Sequence, residues 1–249
     1  MKKKEFLVNK RTILITGATG YLGKKLVLEL KKQNRLILLD KKIEKKFKNL
    51  KNLDSYEVDF LDEKNLLNQI KKIKAKYKKI DNIVNLAAIT GDQIKLIKKK
   101  NDIWKSIYSV NLYSLMIIFS EIKNNLLRSN SASILNISSI YGVIPPKFEI
   151  YKGTKIKSSF DYSSSKSSLI YLTKWLAKKY SPKIRVNCIS PGGIYRNHSK
   201  KFVRNYSSKT PLRRMAREQD IVGPILFFLS DNSKYITGQN LIVDGGFSL

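Results

Sequence analysis

Short apolar runs alternate along the chain with stretches in which apolar residues recur at helical spacing. The apolar runs predict seven β-strands, at 12–15, 35–39, 55–58, 82–86, 133–137, 184–189 and 240–243. The helical spacing predicts helices at 22–32, 63–77, 102–127, 163–180 and 217–229. Because strands that are apolar throughout must be covered on both faces, the alternation predicts an α/β fold with a doubly wound parallel sheet. No linker or repeat interrupts it, so we expect one domain, 11–249, after a loose basic tail, 1–10.

Length and residue usage narrow the class of protein. A chain of 249 residues fits one α/β domain with a large core. The single cysteine, Cys188, excludes an internal disulfide, and the single histidine, His198, leaves too few ligands for a zinc cluster. The apolar run at 6–8 is too short for a signal peptide, and no run approaches the roughly 20 apolar residues that cross a bilayer. We therefore expect a cytoplasmic protein without a metal site or a membrane partner.

The formal net charge of +30 raises the question of a polyanionic partner. Nucleic acids and acidic membranes attract a strongly basic surface. However, lysine is much commoner than arginine, and the lysines lie between apolar residues at helical spacing, as at 70–79. Specific nucleic-acid sites favour arginine forks with interleaved aromatic residues. We interpret the lysines as solvated helix faces and predict weak binding to polyanions at low salt, without a specific nucleic-acid site.

A glycine-rich turn stands between the first predicted strand and the first predicted helix, with glycines at Gly17, Gly20 and Gly23. Glycines let the backbone approach a diphosphate closely, and the helix N-terminus supplies amide groups and the positive end of its dipole. A glycine pattern in this context is typical of a dinucleotide-binding turn. The sequence therefore predicts a nucleotide cofactor at the start of the chain.

Asp40 ends the second predicted strand, 23 residues after Gly17. A carboxylate there can accept hydrogen bonds from the adenosine ribose, and it repels a 2'-phosphate. Asp40 therefore favours NAD over NADP. Lys41 and Lys42 follow at once and could tolerate the phosphate, so NADP stays open, and Asp40 could also be a simple strand-ending turn residue.

Tyr162 and Lys166 lie one helical turn apart at the start of a long amphipathic stretch. A phenol with a pKa of about 10 is a poor base at neutral pH, and a lysine on the same helix face favours the tyrosinate. A second pair with the same spacing, Tyr151 and Lys155, contains Gly153 and follows two prolines, which favours a loop. We therefore predict that Tyr162 and Lys166 form the catalytic pair.

The order of these signals resembles the short-chain dehydrogenase/reductase family, in the group with chains of this length, from about Arg11 to the C-terminus. Asn111 lies in an apolar helical stretch, Ser139 ends a predicted strand, and a Pro-Gly-Gly run follows the sixth strand at 191–193. The resemblance implies a Rossmann-like domain that transfers a hydride between a nicotinamide and a carbon bearing oxygen. It also implies that Ser139 hydrogen-bonds the substrate oxygen, with Ser138 as the alternative, and that Asn111 holds a water in a proton relay.

The resemblance also implies the cofactor contacts, with two departures from the family pattern. The glycine spacing is similar to that of the longer, sugar-nucleotide-modifying branch, and the run at 85–88 replaces the usual Asn-Asn-Ala-Gly while keeping small residues. Asp59 resembles the family's adenine-contacting aspartate. The implied contacts are Gly17, Thr19, Gly20, Tyr21, Leu22, Gly23, Asp40, Asp59, Phe60, Asn85, Ala87, Ala88, Tyr162, Lys166, Pro191, Gly192 and Ile194.

Two segments are expected on the substrate side, an enlarged loop at 142–160 and a lid at 194–217. His198 is expected to be a surface residue of the lid. The lid has no acidic residue, and an anionic substrate or the basic bias of the whole chain would explain its cations. Segments 140–154 and 194–211 are similar to a bacterial subgroup that acts in surface-glycan and flagellin-modification pathways, which implies a sugar or sugar phosphate. The lid cations are Arg196, Lys200, Lys201, Arg204, Lys209, Arg213, Arg214 and Arg217.

The leading hypothesis is an NAD-dependent oxidoreductase that interconverts a secondary alcohol and a ketone on an anionic sugar. The resemblance implies a homotetramer or homodimer. An alternative is an NADPH-dependent 3-oxoacyl thioester reductase, which Asp40 disfavours and which the basic surface, attractive to an acidic carrier protein, favours. A third hypothesis is a nucleotide-sensing or polyanion-binding protein, which predicts damage to the catalytic set. Asn111, Ser139, Tyr162 and Lys166 are all present.

Overall fold

The computed structural model describes residues 8–48, 50–90 and 100–249. These residues form a sheet of strands β1 Thr12–Thr16, β2 Arg35–Asp40, β3 Leu53–Glu57, β4 Asn82–Asn85, β5 Ala132–Ile137, β6 Ile184–Pro191 and β7 Asn240–Val243. Their order is β3-β2-β1-β4-β5-β6-β7, and every neighbouring pair is parallel. The strand order reverses between β1 and β4, where open α/β sheets place a crevice at the carboxyl ends of their strands. The predicted single α/β domain with a doubly wound, Rossmann-like sheet is confirmed.

Helices connect the strands across both faces of the sheet. They are α1 Tyr21–Leu30, α2 Glu63–Lys76, α3 Lys100–Tyr108, α4 Ser114–Leu127, α5 Phe160–Tyr180, α6 Lys200–Ser208 and α7 Glu218–Leu229. A π-helical turn, Ser109–Tyr113, joins α3 to α4. Within the described ranges, no helix combines the length and the apolar content that crossing a membrane needs.

Alternate residues of each strand pack against helices on opposite faces. On one face Ile13 packs with Leu26 of α1 and Ile225 of α7. On the other face Leu14 packs with Ile70 of α2. All five side chains are fully buried. The inner strands of the sheet are therefore covered on both sides, which is why they are largely apolar.

The described elements differ from the predicted ones at two places that matter for the site. The predicted helix at 102–127 is interrupted by the π-helical turn, which includes Asn111. The lid contains α6, which the pattern did not predict because basic residues surround its few apolar positions; Ser199 caps it by accepting a hydrogen bond from the Phe202 amide at 3.3 Å. Tyr151 ends a short 3-10 helix, Phe148–Tyr151, and 152–155 is not helical, so the pair at 151 and 155 does not lie on an α-helix; Gly153 has φ of +67°. Residues 1–7 of the predicted tail lie outside the described residues.

Candidate active site

A cavity of about 760 Å³ opens at the carboxyl edge of the sheet, where β1, β2, β4, β5 and β6 end. Thr19, Asn85 and Asn111 do not line it. The remaining predicted site residues do, and the structure brings them together from the whole length of the chain. They are Gly17, Gly20, Tyr21, Leu22, Gly23, Asp40, Asp59, Phe60, Ala87, Ala88, Ser139, Tyr162, Lys166, Pro191, Gly192 and Ile194.

The three glycines of the turn after β1 differ in what an added Cβ would meet. Gly17 has φ of +66°, and a Cβ there would lie 2.7 Å from the Ala87 backbone nitrogen. A Cβ at Gly23 would overlap the Gly17 carbonyl oxygen. At Gly20 φ is −68°, and the nearest atom to an added Cβ would be the Gly17 carbonyl oxygen at 3.1 Å. The protein itself therefore requires Gly17 and Gly23, whereas Gly20 keeps a space open toward the cavity.

That space lies at the N-terminus of α1, where the first-turn amides have no intrahelical carbonyl to pair with. Gly20 stands at the N-cap position, and no side chain caps the helix there. A diphosphate binds where backbone amides are free to donate, where the positive end of a helix dipole lies, and where no Cβ blocks its approach. The residues at this end of the cavity fit a dinucleotide cofactor.

Asp40 joins the glycine-rich turn to the end of β2. Its Oδ2 accepts a hydrogen bond from the Thr19 amide at 2.8 Å, and its Oδ1 accepts one from the Lys41 amide at 2.7 Å. The Thr19 hydroxyl donates to the Lys42 carbonyl at 2.9 Å. Thr19 thus shapes the turn instead of lining the cavity. Each carboxylate oxygen of Asp40 retains a lone pair that can accept a ribose hydroxyl.

Lys41, which the sequence left as a possible partner of a 2'-phosphate, forms an ion pair with Asp59. The distance between Lys41 Nζ and Asp59 Oδ2 is 2.9 Å. Asp59 Oδ1 also accepts the Leu61 amide at 3.1 Å. The positive charge of Lys41 is therefore offset by a neighbouring carboxylate.

Asn85 is buried inside the fold, behind the cavity. Its Nδ2 donates to Asn136 Oδ1 at 2.8 Å, and Asn136 Nδ2 donates to Thr173 Oγ1 at 2.8 Å. These bonds connect β4, β5 and α5. Asn85 therefore acts by holding the sheet and helix together, while Ala87 and Ala88 line the cavity.

Tyr162 and Lys166 lie in the first turns of α5, facing Ser139 at the end of β5. Lys166 is 2 % exposed, and its Nζ donates to the Ile137 carbonyl at 2.9 Å and lies 5.8 Å from the Tyr162 ring centroid. Burial lowers the pKa of Lys166 to about 8. Burial raises the pKa of Tyr162, while a hydrogen bond with Ser139 and the charge of Arg196 act in the opposite direction.

The two neighbouring serines have different partners. The Ser138 hydroxyl donates to the Lys166 backbone carbonyl at 2.7 Å. Ser139 lies beside the Tyr162 hydroxyl, and its Oγ accepts the Tyr141 amide at 3.2 Å. This geometry favours Ser139 as the serine that meets a substrate oxygen, and it gives Ser138 the task of fixing α5.

Asn111 lies in the π-helical turn, fully buried. Its Oδ1 accepts the Ile89 amide at 2.9 Å, and its Nδ2 donates to the Ile89 carbonyl and to Ser165 Oγ, both at 3.1 Å. Both amide hydrogens are therefore in use. Through its side chain, Asn111 holds the segment after β4 against α5, one residue before Lys166.

The cavity also has an aromatic wall that the sequence did not reveal as a unit. The Tyr151 hydroxyl donates to the Tyr141 hydroxyl at 2.5 Å, and Tyr206 accepts the Gly193 amide at 2.6 Å. Burial raises the pKa of Tyr141 and Tyr151, and it raises the pKa of Tyr206 to about 12. These hydroxyls therefore stay protonated at neutral pH. The aromatic wall is made of Tyr141, Tyr151, His198, Phe202 and Tyr206.

Tyr151 and His198 have places that the sequence did not indicate. Tyr151 ends a short 3-10 helix, Phe148–Tyr151, where a loop was predicted, and it lines the cavity. His198 is half-buried, its ring centroid is 5.1 Å from that of Phe202, and burial lowers its pKa. His198 belongs to the lid, as expected, and it remains partly exposed while also lining the cavity.

Most of the lid cations lie away from the cavity. Arg214 Nη1 pairs with Asp220 Oδ2 at 2.5 Å, and Lys209 Nζ pairs with Glu149 Oε1 at 3.6 Å. Arg196 is the lid cation whose side chain lines the cavity in the described chain. Of the eight basic residues of the lid, one therefore lines the cavity.

The comparisons with known proteins agree with this geometry. The family model described as enoyl-(acyl carrier protein) reductase matches residues 23–248. The chain belongs to the short-chain dehydrogenase/reductase family. It is an NAD(P)-dependent oxidoreductase, as predicted.

Individual relatives match over nearly the whole chain. Post-translational flagellin modification protein A of Campylobacter coli is 33% identical over 98% of this chain and 100% of its own length. The 3-oxoacyl-(acyl-carrier-protein) reductase FabG of Buchnera aphidicola is 30% identical over 96% of this chain and 98% of its own. A short chain dehydrogenase of Leptospira borgpetersenii with bound NAD+ is 31% identical, with a TM-score of 0.84 over 97% of this chain and 94% of its own. The resemblance to the flagellin-modification subgroup is confirmed.

Proposed function

We propose that this short-chain dehydrogenase/reductase uses NAD to interconvert a secondary alcohol and a ketone on a sugar or sugar phosphate, in surface-glycan biosynthesis. The observation that carries the proposal is one cavity with three parts. Asp40 and the amides of α1 lie at one end, Ser139, Tyr162 and Lys166 lie in the middle, and the aromatic wall lies at the other end.

The chain's own residues handle the proton and the substrate oxygen. When bound, the nicotinamide accepts or donates the hydride. In the oxidative direction the Tyr162 phenolate takes the proton of the substrate hydroxyl as the C–H bond breaks, and in the reductive direction the phenol returns it. Ser139 donates a hydrogen bond to the same oxygen. Lys166, buried one helical turn from Tyr162, favours the tyrosinate by its positive charge.

The preference for NAD rests on the charges at the end of β2. A 2'-phosphate would approach the Asp40 carboxylate, which repels it. Lys41, one of the two lysines that could offset that repulsion, pairs with Asp59 at 2.9 Å. The Leptospira relative holds NAD+. These observations favour NAD.

The sugar substrate is supported by the aromatic wall. Aromatic faces suit the apolar C–H faces of a sugar ring, and protonated tyrosine hydroxyls can exchange hydrogen bonds with its hydroxyl groups. The name of the Campylobacter coli relative, a flagellin modification protein, points in the same direction.

A direct test is to titrate the protein with NADH and NADPH and then to screen sugars and sugar phosphates for NAD-linked turnover. Tighter binding of NADH, with turnover of a sugar, is the expected result. Tyr162→Phe should lose hydride transfer and keep its affinity for NADH. Retained turnover in that variant would contradict the assigned role of Tyr162, and a wild-type protein that binds nucleotide but never transfers a hydride would support a nucleotide-sensing function.

The second candidate function is reduction of a 3-oxoacyl thioester with NADPH. The FabG relative of Buchnera aphidicola, 30% identical over nearly the full chain, favours it. An assay with an acetoacetyl thioester separates the two functions. Turnover of the thioester with NADPH, and of none of the sugars, would replace the proposal with this alternative.

We also propose that the protein is a homodimer or homotetramer in the cytoplasm. Exposed aromatic side chains on α3 and α5 support self-association: Trp104 is 43 % exposed, Phe160 75 % and Tyr171 71 %. The free, buried thiol of Cys188 suits a reducing compartment. Light scattering on the purified protein would give the number of subunits, and a monomer at micromolar concentration would refute the assembly.

A further inference from the structure

Arg196 is at the base of the lid, against the first residue of α1. Its guanidinium carbon is 5.2 Å from the centroid of the Tyr21 ring. Tyr21 begins α1, and its hydroxyl is hydrogen-bonded to Glu218 at the start of α7. The ring therefore supports the guanidinium at the end of the cavity where the α1 amides lie.

The charge of Arg196 has no acidic partner in the part of the chain that the structure describes. Arg214, by contrast, pairs with Asp220. The N-terminus of α1 is itself the positive end of a helix dipole. Two positive groups that line the same cavity repel each other unless an anion lies between them.

Backbone hydrogen bonds hold this part of the lid in place. The Tyr195 amide donates to the Ala216 carbonyl at 2.9 Å, and the Ala216 amide donates to the Gly193 carbonyl at 2.9 Å. The Arg196 amide donates to His198 Nδ1 at 3.1 Å. Arg196 therefore lies on a segment that backbone hydrogen bonds hold in place.

We propose that Arg196 binds the diphosphate of the dinucleotide from the lid side, opposite the amides of α1. This inference rests on the proposed cofactor site. A guanidinium presents two parallel N–H groups to phosphate oxygens, so it can make a pair of charge-assisted hydrogen bonds. Because Arg196 belongs to the lid, the bound diphosphate also holds the base of the lid against α1. The side chain of Arg196 thus couples cofactor binding to the shape of the substrate side.

The test is isothermal titration of the full-length protein with NADH, ADP-ribose and adenosine. ADP-ribose keeps the diphosphate and lacks the nicotinamide, while adenosine lacks both. Arg196→Gln should weaken NADH and ADP-ribose by about tenfold or more, the expected loss of a hydrogen-bonded charge, and should change adenosine by less than about twofold. Arg196→Lys, which keeps the charge without the fork, should lie between the two.

The matched control is Arg204→Gln. Arg204 is another exposed lid arginine, and it does not line the cavity. Its substitution should leave all three affinities unchanged. An equal loss in Arg204→Gln would reduce the effect to general electrostatic attraction and overturn the proposal. Unchanged binding of NADH and ADP-ribose by Arg196→Gln would also overturn it, and a rise confined to the KM of a phosphorylated sugar would assign Arg196 to the substrate instead. If the wild-type protein bound no nucleotide, the proposed function itself would fail, and this inference with it.

Discussion

Gly17 and Gly20 stand three residues apart, and the structure predicts opposite consequences for replacing each with alanine. At Gly17 the backbone has φ of +66°, and the new Cβ would lie 2.7 Å from the Ala87 nitrogen. The left-handed conformation alone costs about 1–2 kcal/mol for a residue with a Cβ, and the backbone overlap adds to it. Gly17→Ala should therefore lower the free energy of unfolding by at least about 2 kcal/mol. For a chain of this length the corresponding fall in Tm is about 4 °C or more.

Gly20→Ala should leave stability nearly unchanged. The backbone at Gly20 is already extended with negative φ, which alanine tolerates. The added Cβ would lie 3.1 Å from the Gly17 carbonyl oxygen, a tight contact that a shift of a few tenths of an ångström relieves. Alanine also restricts the unfolded chain, which offsets that contact by about 0.4–1 kcal/mol. The expected change in the free energy of unfolding is within about 0.5 kcal/mol.

The affinity for NADH should show the reverse pattern to stability. The Cβ at position 20 enters the space beside the α1 amides, so Gly20→Ala should weaken NADH binding by about tenfold or more, a loss of at least about 1.4 kcal/mol. Thermal unfolding followed by circular dichroism gives the stability, and a fluorescence titration with NADH gives the affinity. A Gly20→Ala protein with wild-type Tm and wild-type affinity would refute the placement of the diphosphate at this turn.

Three further predictions concern single side chains of the cavity. Folding lowers the pKa of Lys166 from 10.5 to about 8, so between these pH values the unfolded chain binds more protons than the folded one. The contribution of Lys166 to the free energy of unfolding therefore rises with pH across that window. Measured by urea unfolding, the free energy of unfolding of the wild type should rise relative to that of Lys166→Met by about 3 kcal/mol between pH 7.5 and 10.5. Asp40→Ser removes the acceptor of the Thr19 amide and the repulsion of a 2'-phosphate. The ratio of NADPH affinity to NADH affinity should therefore rise by about tenfold. An unchanged ratio in paired titrations would show that Asp40 does not select between the two cofactors. Tyr151→Phe keeps the ring and loses the 2.5 Å hydrogen bond to Tyr141. Steady-state kinetics should show a KM for the sugar that is raised by about fivefold or more, with an unchanged Kd for NADH. A raised Kd for NADH would place Tyr151 on the cofactor side instead.

Local pattern was sufficient for much of the scaffold and for placing Tyr162 and Lys166 on one helix. The inner strands are largely apolar runs that must be covered on both faces, and the register of Tyr162 and Lys166 follows from the pitch of one helix. Gly153 correctly excluded a helix at the competing Tyr151 pair. The break at Asn111 could not be predicted, because the Asn111 side chain in the π-helical turn accepts a hydrogen bond from the Ile89 amide and donates one to Ser165 Oγ, and both residues are distant in sequence.

The sequence by itself determined the fold class, the glycine-rich turn and the spacing of Tyr162 and Lys166, since each depends on residues within one strand, turn or helix. Only the tertiary structure decided what surrounds them. The pairing of Lys41 with Asp59, the isolation of Arg196 beside Tyr21 and the aromatic wall all join segments from different parts of the chain. Such contacts depend on how the segments pack. The distances between side chains at the edge of the sheet follow from the order of the strands and the path of the loops, and the local spacing of apolar residues does not encode either.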